Sequence, residues 1–199
     1  MVDARHQVLV LGSGPSIAQL DRMDSSPWTV VAMNRAWSFR PDRVDYVVHM
    51  DALPGSKRPP AGRYEPGRVV SYAEYVEAVR HYARRFSHGE SDDWWSVTGG
   101  LIHFSTSYWV MHALNPGRIG YLGCDFNYAG GTTHFYGRGQ SIPAEEPHRE
   151  PLGAYFDIQA RFCDGAGVSL LNLSDDPDSL LPYPRHDQSG FAEKRRRLS

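Results

Sequence analysis

Short runs of apolar residues recur along the chain, and longer segments of mixed polarity separate them. Six runs predict β-strands, at residues 6–11, 28–33, 44–50, 68–72, 118–123 and 168–173. Within the runs the hydrophobic residues are nearly continuous rather than strictly alternating with polar ones, which is typical of strands buried on both faces of a sheet. The pattern therefore predicts a sheet that helices cover on both sides.

The segments between the strands have helical patterns. Residues 73–86 place Tyr75, Val79 and Tyr82 on one stripe, as an amphipathic helix does. Further helices are predicted at residues 17–23, 99–114 and 151–164. Alternating strands and helices indicate an α/β fold, namely a single Rossmann-like, doubly wound and mostly parallel sheet with helices on both faces. We expect this domain at residues 1–185 and a basic C-terminal tail at residues 186–199.

Composition and charge narrow the functional classes. The 199 residues are 41% hydrophobic with a formal net charge of −2, so the composition is globular and no overall field attracts nucleic acid. Cys124 and Cys163 lack metal-site spacing, and we expect two free thiols in a reducing compartment. The sequence has no signal-peptide pattern and no apolar run of membrane-spanning length, so a cytoplasmic location is expected. The oligomeric state is left open.

The first turn motif follows the first predicted strand and reads Gly12-Ser13-Gly14-Pro15-Ser16. Glycines let a ligand approach the backbone closely, and the N–H groups that begin a helix attract anions. We therefore predict that Gly12, Ser13, Gly14 and Ser16 bind an anion such as a phosphate, the alternative being a tight turn without a ligand. The motif lacks the third glycine of a dinucleotide-binding fingerprint and the Gly-Lys-Ser/Thr ending of a P-loop, which disfavours standard NAD sites and ATPases.

Polar residues also follow other predicted strands. Asn34 ends the second strand, where its amide could contact a ribose or base edge or, alternatively, cap a helix. Asp51 follows the third strand, where it is a candidate donor-binding residue or general base, the alternative being a polar residue that merely ends the strand. Thr98, Gly99 and Gly100 precede a helical segment and form a second candidate cradle for an anion or a sugar, with Thr98 as the helix N-cap.

A glycine-rich stretch at residues 128–148 follows the fifth predicted strand, at the sheet edge where such folds bind ligands. Long loops in compact domains are usually functional or disordered, and whether this one forms a lid is left open. The stretch contains His134, a candidate general base near neutral pH whose alternative role is structural. Asp125, directly after the strand, is a second candidate catalytic residue, which would orient a ligand hydroxyl or buttress the loop.

Taken in order, six motifs resemble the bacterial sialyltransferases of glycosyltransferase family 42 and a related group of domains defined by similarity to 6-hydroxymethylpterin diphosphokinase. The motifs are VLVLGSGPS, VVAMNRAW, the TGG before a helix, RIGYLGCDF, THFYG and VSLLNLSDD, and they span most of the chain. The resemblance implies a Rossmann-like fold and an enzyme that takes a sugar from a cytidine-monophosphate donor without a metal.

The same resemblance implies roles for individual residues. His134 corresponds to the family's catalytic histidine, which removes the proton from the acceptor hydroxyl. Ser13 stands where the sialyltransferases commonly carry Asn, which leaves the donor nucleotide open. Contacts with the donor are implied at these positions: Gly12, Gly14, Ser16, Asn34, Thr98, Gly99 and Gly100.

Three functions are compatible with these residues. The first is a glycosyltransferase that uses a nucleotide sugar and no cofactor, and whose acceptor is a glycan or a hydroxymethylated base in DNA. The second is a diphosphokinase that acts on a small hydroxymethyl heterocycle with ATP and Mg²⁺, for which Asp51 and Asp125 are the candidate carboxylates. The third is a non-catalytic nucleotide-binding module.

Overall fold

The computed structural model describes residues 6–49, 55–86, 95–127, 133–137 and 149–185. Its six strands form one sheet in the order β4-β3-β2-β1-β5-β6, and every pairing is parallel. The strands are β1 Gln7–Leu11, β2 Trp28–Met33, β3 Tyr46–Val48, β4 Val69–Val70, β5 Arg118–Leu122 and β6 Ser169–Asn172. The predicted α/β, Rossmann-like parallel sheet is confirmed. The predicted tail at residues 186–199 lies outside the described residues.

The described α-helices are α1 Tyr72–Phe86, α2 Trp95–Thr98, α3 Ile102–Leu114 and α4 Arg149–Gly165. Short 3₁₀ helices occupy Pro15–Asp21, Asn34–Ser38, Pro41–Arg43 and Gly55–Lys57. The helix predicted at residues 17–23 is therefore a 3₁₀ helix that begins earlier, at Pro15. None of the described helices is long and apolar enough to cross a bilayer.

The helix predicted at residues 99–114 divides in two, which corrects the prediction for Thr98. Gly99 and Gly100 have φ of 54° and 72°, in the left-handed region that an α-helix cannot continue through. Thr98 is consequently the last residue of α2, and Leu101 occupies the N-cap position of α3. The two glycines turn the chain so that α3 starts at the edge of the sheet.

Hydrophobic residues fill both faces of the sheet. Along β1, Val8 and Val10 belong to one core cluster and Leu9 and Leu11 to another, as expected for side chains that alternate between the faces of a strand. The first cluster includes the apolar residues of α1, α3 and α4. The second is closed by the 3₁₀ helices that follow β1 and β2. The sheet is thus covered on both faces, with the longer helices on one side.

The sheet changes direction of winding between β1 and β5, because the chain moves outward from β1 to one edge and later returns beside β1 to form β5. In open parallel sheets, ligands bind outside the carboxyl ends of the strands at such a switch point. The turns that follow β1 and β5 pack against each other there, through the hydrogen bonds of Gly12 N–H to Leu122 O and of Gly14 N–H to Gly123 O.

Candidate functional site

A cavity of about 190 Å³ lies at the carboxyl edge of the sheet, at the switch point. Its wall is formed by residues 12–14 after β1, residues 33 and 34 at the end of β2, residues 100–103 at the start of α3, residues 123–127 after β5, and residues 133 and 134. Seven predicted site residues line it: Gly12, Ser13, Gly14, Asn34, Gly100, Asp125 and His134. Ser16, Thr98 and Gly99 lie behind this wall, and Asp51 lies outside the described residues.

The turn after β1, residues 12–17, is called the β1 turn here, and its hydrogen-bonding capacity is largely used within the protein. Pro15 has no N–H, and within the described part of the chain the N–H of Ser13 is the one donor of this turn that no protein acceptor takes up. The other four N–H groups have partners: Gly12 with Leu122 O at 2.8 Å, Gly14 with Gly123 O at 2.7 Å, Ser16 with Asp125 Oδ2 at 3.0 Å and Ile17 with Gly14 O at 3.1 Å.

Asp125 occupies the position at which the sequence predicted an anionic ligand. Its Oδ1 accepts hydrogen bonds from the hydroxyls of Ser16 at 2.5 Å and Ser174 at 2.9 Å, and the residue is 2% exposed. The Ser16 hydroxyl in turn accepts a bond from the Gly123 N–H at 2.9 Å. Ser16 therefore faces a carboxylate of its own chain rather than a ligand phosphate. In this geometry Asp125 buttresses the β1 turn, and its predicted catalytic role stays a prediction.

The glycines of the β1 turn are required by this packing. A Cβ atom on Gly12 would lie 2.2 Å from the carbonyl oxygen of Gly123, and one on Gly14 would lie 2.4 Å from Oδ2 of Asp125. Both distances are far inside van der Waals contact, so the absent side chains permit an approach between two segments of the protein. The sequence motif had instead predicted that these glycines let a ligand approach the backbone.

The segment that leads into α3 and includes its first two residues, 98–103, is called the α3 turn here. Its polar groups are used differently from those of the β1 turn. The N-cap residue Leu101 provides no side-chain hydrogen bond to the first turn of the helix, and Ile102 and His103 line the cavity. Thr98 is fully buried, where its hydroxyl accepts a bond from the Gly100 N–H at 3.2 Å. Thr98 thus shapes the turn and does not reach the cavity. The helix begins at the cavity wall, with its positive dipole end there.

Two further predicted residues sit at the carboxyl edge. Asn34 has φ of 48°, in the left-handed region, and lines the cavity directly after β2. It is not a helix cap, because Met33 occupies the N-cap position of the following 3₁₀ helix. Asn adopts this backbone conformation more readily than most residues. Gly99 packs differently, since a Cβ there would lie 2.5 Å from the ring of Tyr155 in α4.

His134 lies in a tight turn that is docked on the β1 turn. The turn closes through hydrogen bonds between the backbones of His134 and Gly137, and the Phe135 N–H donates to Ser13 O at 2.9 Å. The Thr133 hydroxyl lies 2.9 Å from Nδ1 of His134, and the ring of Tyr136 stacks on the imidazole with centroids 5.0 Å apart. Partial burial lowers the pKa of His134. Above that lowered pKa the imidazole is neutral, as a general base requires.

His103 is a residue of this wall that sequence reasoning did not single out. It is 3% exposed, and its Nε2 lies 3.2 Å from Oε1 of Gln159 in α4. Burial lowers its pKa to about 3, so the ring is neutral at physiological pH. In the sequence, His103 stands in the largely apolar stretch IHFSTSYWVM. A titratable residue at a position where the pattern predicts burial is the signal that could have identified it.

Both cysteines of the chain lie among the described residues. Cys124 and Cys163 are both buried and free, as predicted. Burial raises the pKa of Cys163 to about 12 and also raises that of Cys124, which lines the cavity, so both are thiols at neutral pH. Within the described ranges, no group of three or more His, Cys, Asp and Glu residues is arranged to hold a metal ion.

Comparison with known proteins gives two similar structures. Neither a family model nor a curated protein sequence matches the chain. The monofunctional alpha-2,3-sialyltransferase Cst-I from Campylobacter jejuni superposes with a TM-score of 0.47 and 11% identity, over 100% of this chain and 95% of that chain. The sialyltransferase CST-II, crystallised in complex with a trisaccharide acceptor and CMP, superposes with a TM-score of 0.46 and 14% identity, over 90% of this chain and 85% of that chain.

Proposed function

We propose that this protein is a glycosyltransferase that transfers a sugar from a nucleotide-activated donor to an acceptor hydroxyl. The observation that carries the proposal is the convergence of a helix start, Asn34 and a neutral histidine, His134, on one cavity at the switch point of a parallel sheet. Such a cavity is the expected place for a nucleotide ligand. The motif resemblance to the bacterial sialyltransferases supports the same reaction class.

The negative charge of the donor is held by the α3 turn. The N–H groups of residues 102 and 103 begin a helix of 13 residues at the cavity wall, where a phosphate oxygen is stabilised by the helix dipole and by N–H donors. The β1 turn contributes mainly shape and the N–H of Ser13, because its other donors are used internally. Asn34, with both a donor and an acceptor on its amide, contacts the nucleoside part of the donor.

His134 acts as the general base. When Nδ1–H donates to the Thr133 hydroxyl 2.9 Å away, Nε2 is the unprotonated nitrogen of the neutral ring, and the proposal assigns the proton transfer to it. The acceptor oxygen forms a bond to the anomeric carbon, the bond from that carbon to the phosphate oxygen breaks, and the acceptor proton passes to Nε2. The nucleotide departs with the electron pair, stabilised by the N–H groups at the α3 turn. The proposed reaction does not use a metal ion.

Replacing His134 by Gln tests the role of the base. General base catalysis contributes about 10²–10⁴-fold in rate, so we expect His134→Gln to lower kcat by at least about 100-fold and to leave donor affinity nearly unchanged. Because the pKa of His134 is lowered by burial, kcat/KM of the wild type should rise with pH up to a pKa below 6.5 and stay level above it. Steady-state kinetics and calorimetric donor titration measure these quantities.

The matched control is His112→Gln, in the last turn of α3 and outside the cavity wall, which should leave kcat unchanged. Loss of donor binding together with turnover in His134→Gln would contradict the base role. So would a fully active variant. Running the assays both in EDTA and with Mg²⁺ and ATP separates the transferase from a diphosphokinase, which requires the metal.

The acceptor we propose is a hydroxyl of a glycan, with a hydroxymethylated base in DNA as the alternative. The two differ in their response to salt, because a protein that contacts several phosphates of DNA loses affinity steeply as salt rises. Transfer to oligosaccharide acceptors with little salt dependence is the expected result. Transfer to hydroxymethylated duplex DNA that falls steeply with salt would replace the glycan by DNA.

A further inference from the structure

A buried hydrogen-bonded network connects α3, α4 and β5 behind the cavity. The hydroxyl of Ser107 lies 2.7 Å from the carbonyl oxygen of His103 and 2.9 Å from the hydroxyl of Tyr121. The amide nitrogen of Gln159 lies 2.8 Å from that same Tyr121 hydroxyl. The amide oxygen of Gln159 accepts a short hydrogen bond from Tyr183 and lies 3.2 Å from Nε2 of His103.

The protons of this network can be assigned one after another. A carbonyl oxygen cannot donate, so the single hydroxyl proton of Ser107 points at His103 O. The Tyr121 proton must then point at Ser107, which leaves the Tyr121 oxygen as an acceptor for Gln159. The group of Gln159 that faces Tyr121 is therefore the NH₂, and the oxygen faces His103.

This order fixes the tautomer of His103. An amide oxygen accepts only, so Nε2 of His103 must carry the ring proton. In the neutral ring Nδ1 is then an acceptor with a free lone pair. Nδ1 is buried and has no hydrogen-bond partner among the described residues, although His103 lines the cavity. A buried acceptor without a partner is unfavourable in a native protein and calls for an explanation.

We infer that a hydroxyl of the ligand in this cavity donates a hydrogen bond to Nδ1 of His103. The inference rests on the proposed function, which supplies hydroxyls on the ribose and on the sugar of the donor. Phosphate and carboxylate oxygens of the ligand, which are ionised at neutral pH, have no proton to donate and cannot fill this position. The α3 turn thus has two adjacent parts of opposite polarity: backbone N–H groups that suit the phosphate, and the Nδ1 acceptor of the His103 side chain that suits a hydroxyl.

The test is the nitrogen spectrum of His103 in the intact wild-type protein. The ring nitrogens are labelled with ¹⁵N-histidine, and the His103 signals are assigned by their loss in His103→Phe. The free protein should show the tautomer that is protonated at Nε2. Addition of CMP-, UDP- and GDP-sugars, each followed also by thermal shift, should move the Nδ1 signal upfield for the sugar nucleotide that binds, as an unprotonated nitrogen does on accepting a hydrogen bond.

The phenylalanine variant supplies an independent measure, since it keeps a ring of similar size and removes the acceptor. We expect it to bind the same sugar nucleotide about tenfold more weakly, the loss of one buried hydrogen bond, while kcat changes less. If this variant does not fold, the ring signals of His103 are assigned in the wild type by through-bond correlation with its backbone, and the wild-type spectrum decides the matter.

The outcomes separate the two proposals. A free protein protonated at Nδ1 overturns the inference, and so does a sugar nucleotide that binds without moving the His103 signals, which leaves the transferase intact. The absence of binding by every sugar nucleotide overturns the proposed function and the inference with it. An upfield shift that a deoxy analogue of the bound ligand fails to produce supports the inference and identifies the hydroxyl.

Discussion

The β1 turn and the α3 turn both bring glycines to the same cavity, yet they use their polar groups in opposite ways. In the β1 turn, four backbone N–H groups donate within the protein, and the carboxylate of Asp125 takes the position that a ligand anion would occupy. In the α3 turn, the N-cap residue Leu101 makes no side-chain hydrogen bond to the helix, and Nδ1 of His103 has no hydrogen-bond partner among the described residues. The polar groups of the first turn hold two segments of the protein together, and those of the second are the ones we propose for ligand binding.

The difference shows that a glycine motif after a strand has two physical origins. Glycines let either a ligand or another backbone approach, and the sequence looks the same in both cases. What separates them is whether an internal acceptor is available. Here Asp125, 109 residues away from Ser16 along the chain, supplies it.

The largest expected effect comes from disrupting the close packing between the β1 turn and Gly123. Gly12→Ala places a Cβ 2.2 Å from Gly123 O, an overlap with backbone that only a shift of one turn relieves, so we expect a loss of about 3 kcal/mol in the free energy of unfolding. Urea denaturation measures it. Gly153→Ala, in α4 with no atom within 4 Å of the new Cβ, is the matched control and should stabilise by about 0.5–1 kcal/mol. Equal effects of the two changes would contradict the close packing.

A smaller loss should follow from removing the charge of the buttress. In Asp125→Asn one carboxylate oxygen becomes an NH₂ group, which cannot accept from the N–H or the hydroxyl of Ser16, so we expect destabilisation by about 2 kcal/mol. Asp175→Asn is the control, because Asp175 forms an exposed ion pair with Arg22 and should change stability by less than about 1 kcal/mol. If Asp125→Asn were as stable as the control, Ser16 would be free to bind a ligand anion and the comparison of the two turns would fail.

The smallest expected change in stability is at Asn34, where two variants distinguish the contribution of the backbone conformation from that of the side-chain amide. With φ of 48°, Asn34→Ala should be about 1 kcal/mol less stable than Asn34→Gly, because glycine adopts this conformation freely and alanine does not. Both variants lose the amide, so both should bind the donor nucleotide several-fold more weakly. Thermal denaturation and calorimetric titration give the two quantities. Unchanged affinity in the glycine variant would restrict Asn34 to a backbone role.

Sequence patterns predicted the architecture well because strands buried on both faces leave a strong signal. The observed strand Trp28–Met33 coincides with its predicted range, whereas Tyr46–Val48 is shorter than the run at residues 44–50. The helix predicted at residues 99–114 divides because two consecutive glycines adopt left-handed φ. The 3₁₀ helix at Pro15–Asp21 was not distinguishable from an α-helix in a segment of two turns.

The site was predicted less completely, for a physical reason that applies to both turns. The hydrogen bonds of Ser16 and His103 depend on partners distant in sequence, Asp125 for one and Gln159 for the other. Local pattern identifies which residues reach the sheet edge but not which polar groups are already satisfied there. Gly12, Asn34, Gly100 and His134 do meet at one cavity, and their roles in binding and catalysis stay predictions.

The most direct measurement of the central claim is the melting temperature of the wild-type protein against a panel of sugar nucleotides and ATP, in EDTA and in Mg²⁺. A ligand that binds the folded state raises the melting temperature by mass action. We predict that one class of sugar nucleotide raises it in EDTA, with a smaller rise in Asn34→Gly at the same ligand concentration. Stabilisation by ATP only with Mg²⁺, or by no member of the panel, would contradict the assignment of this cavity to a nucleotide sugar.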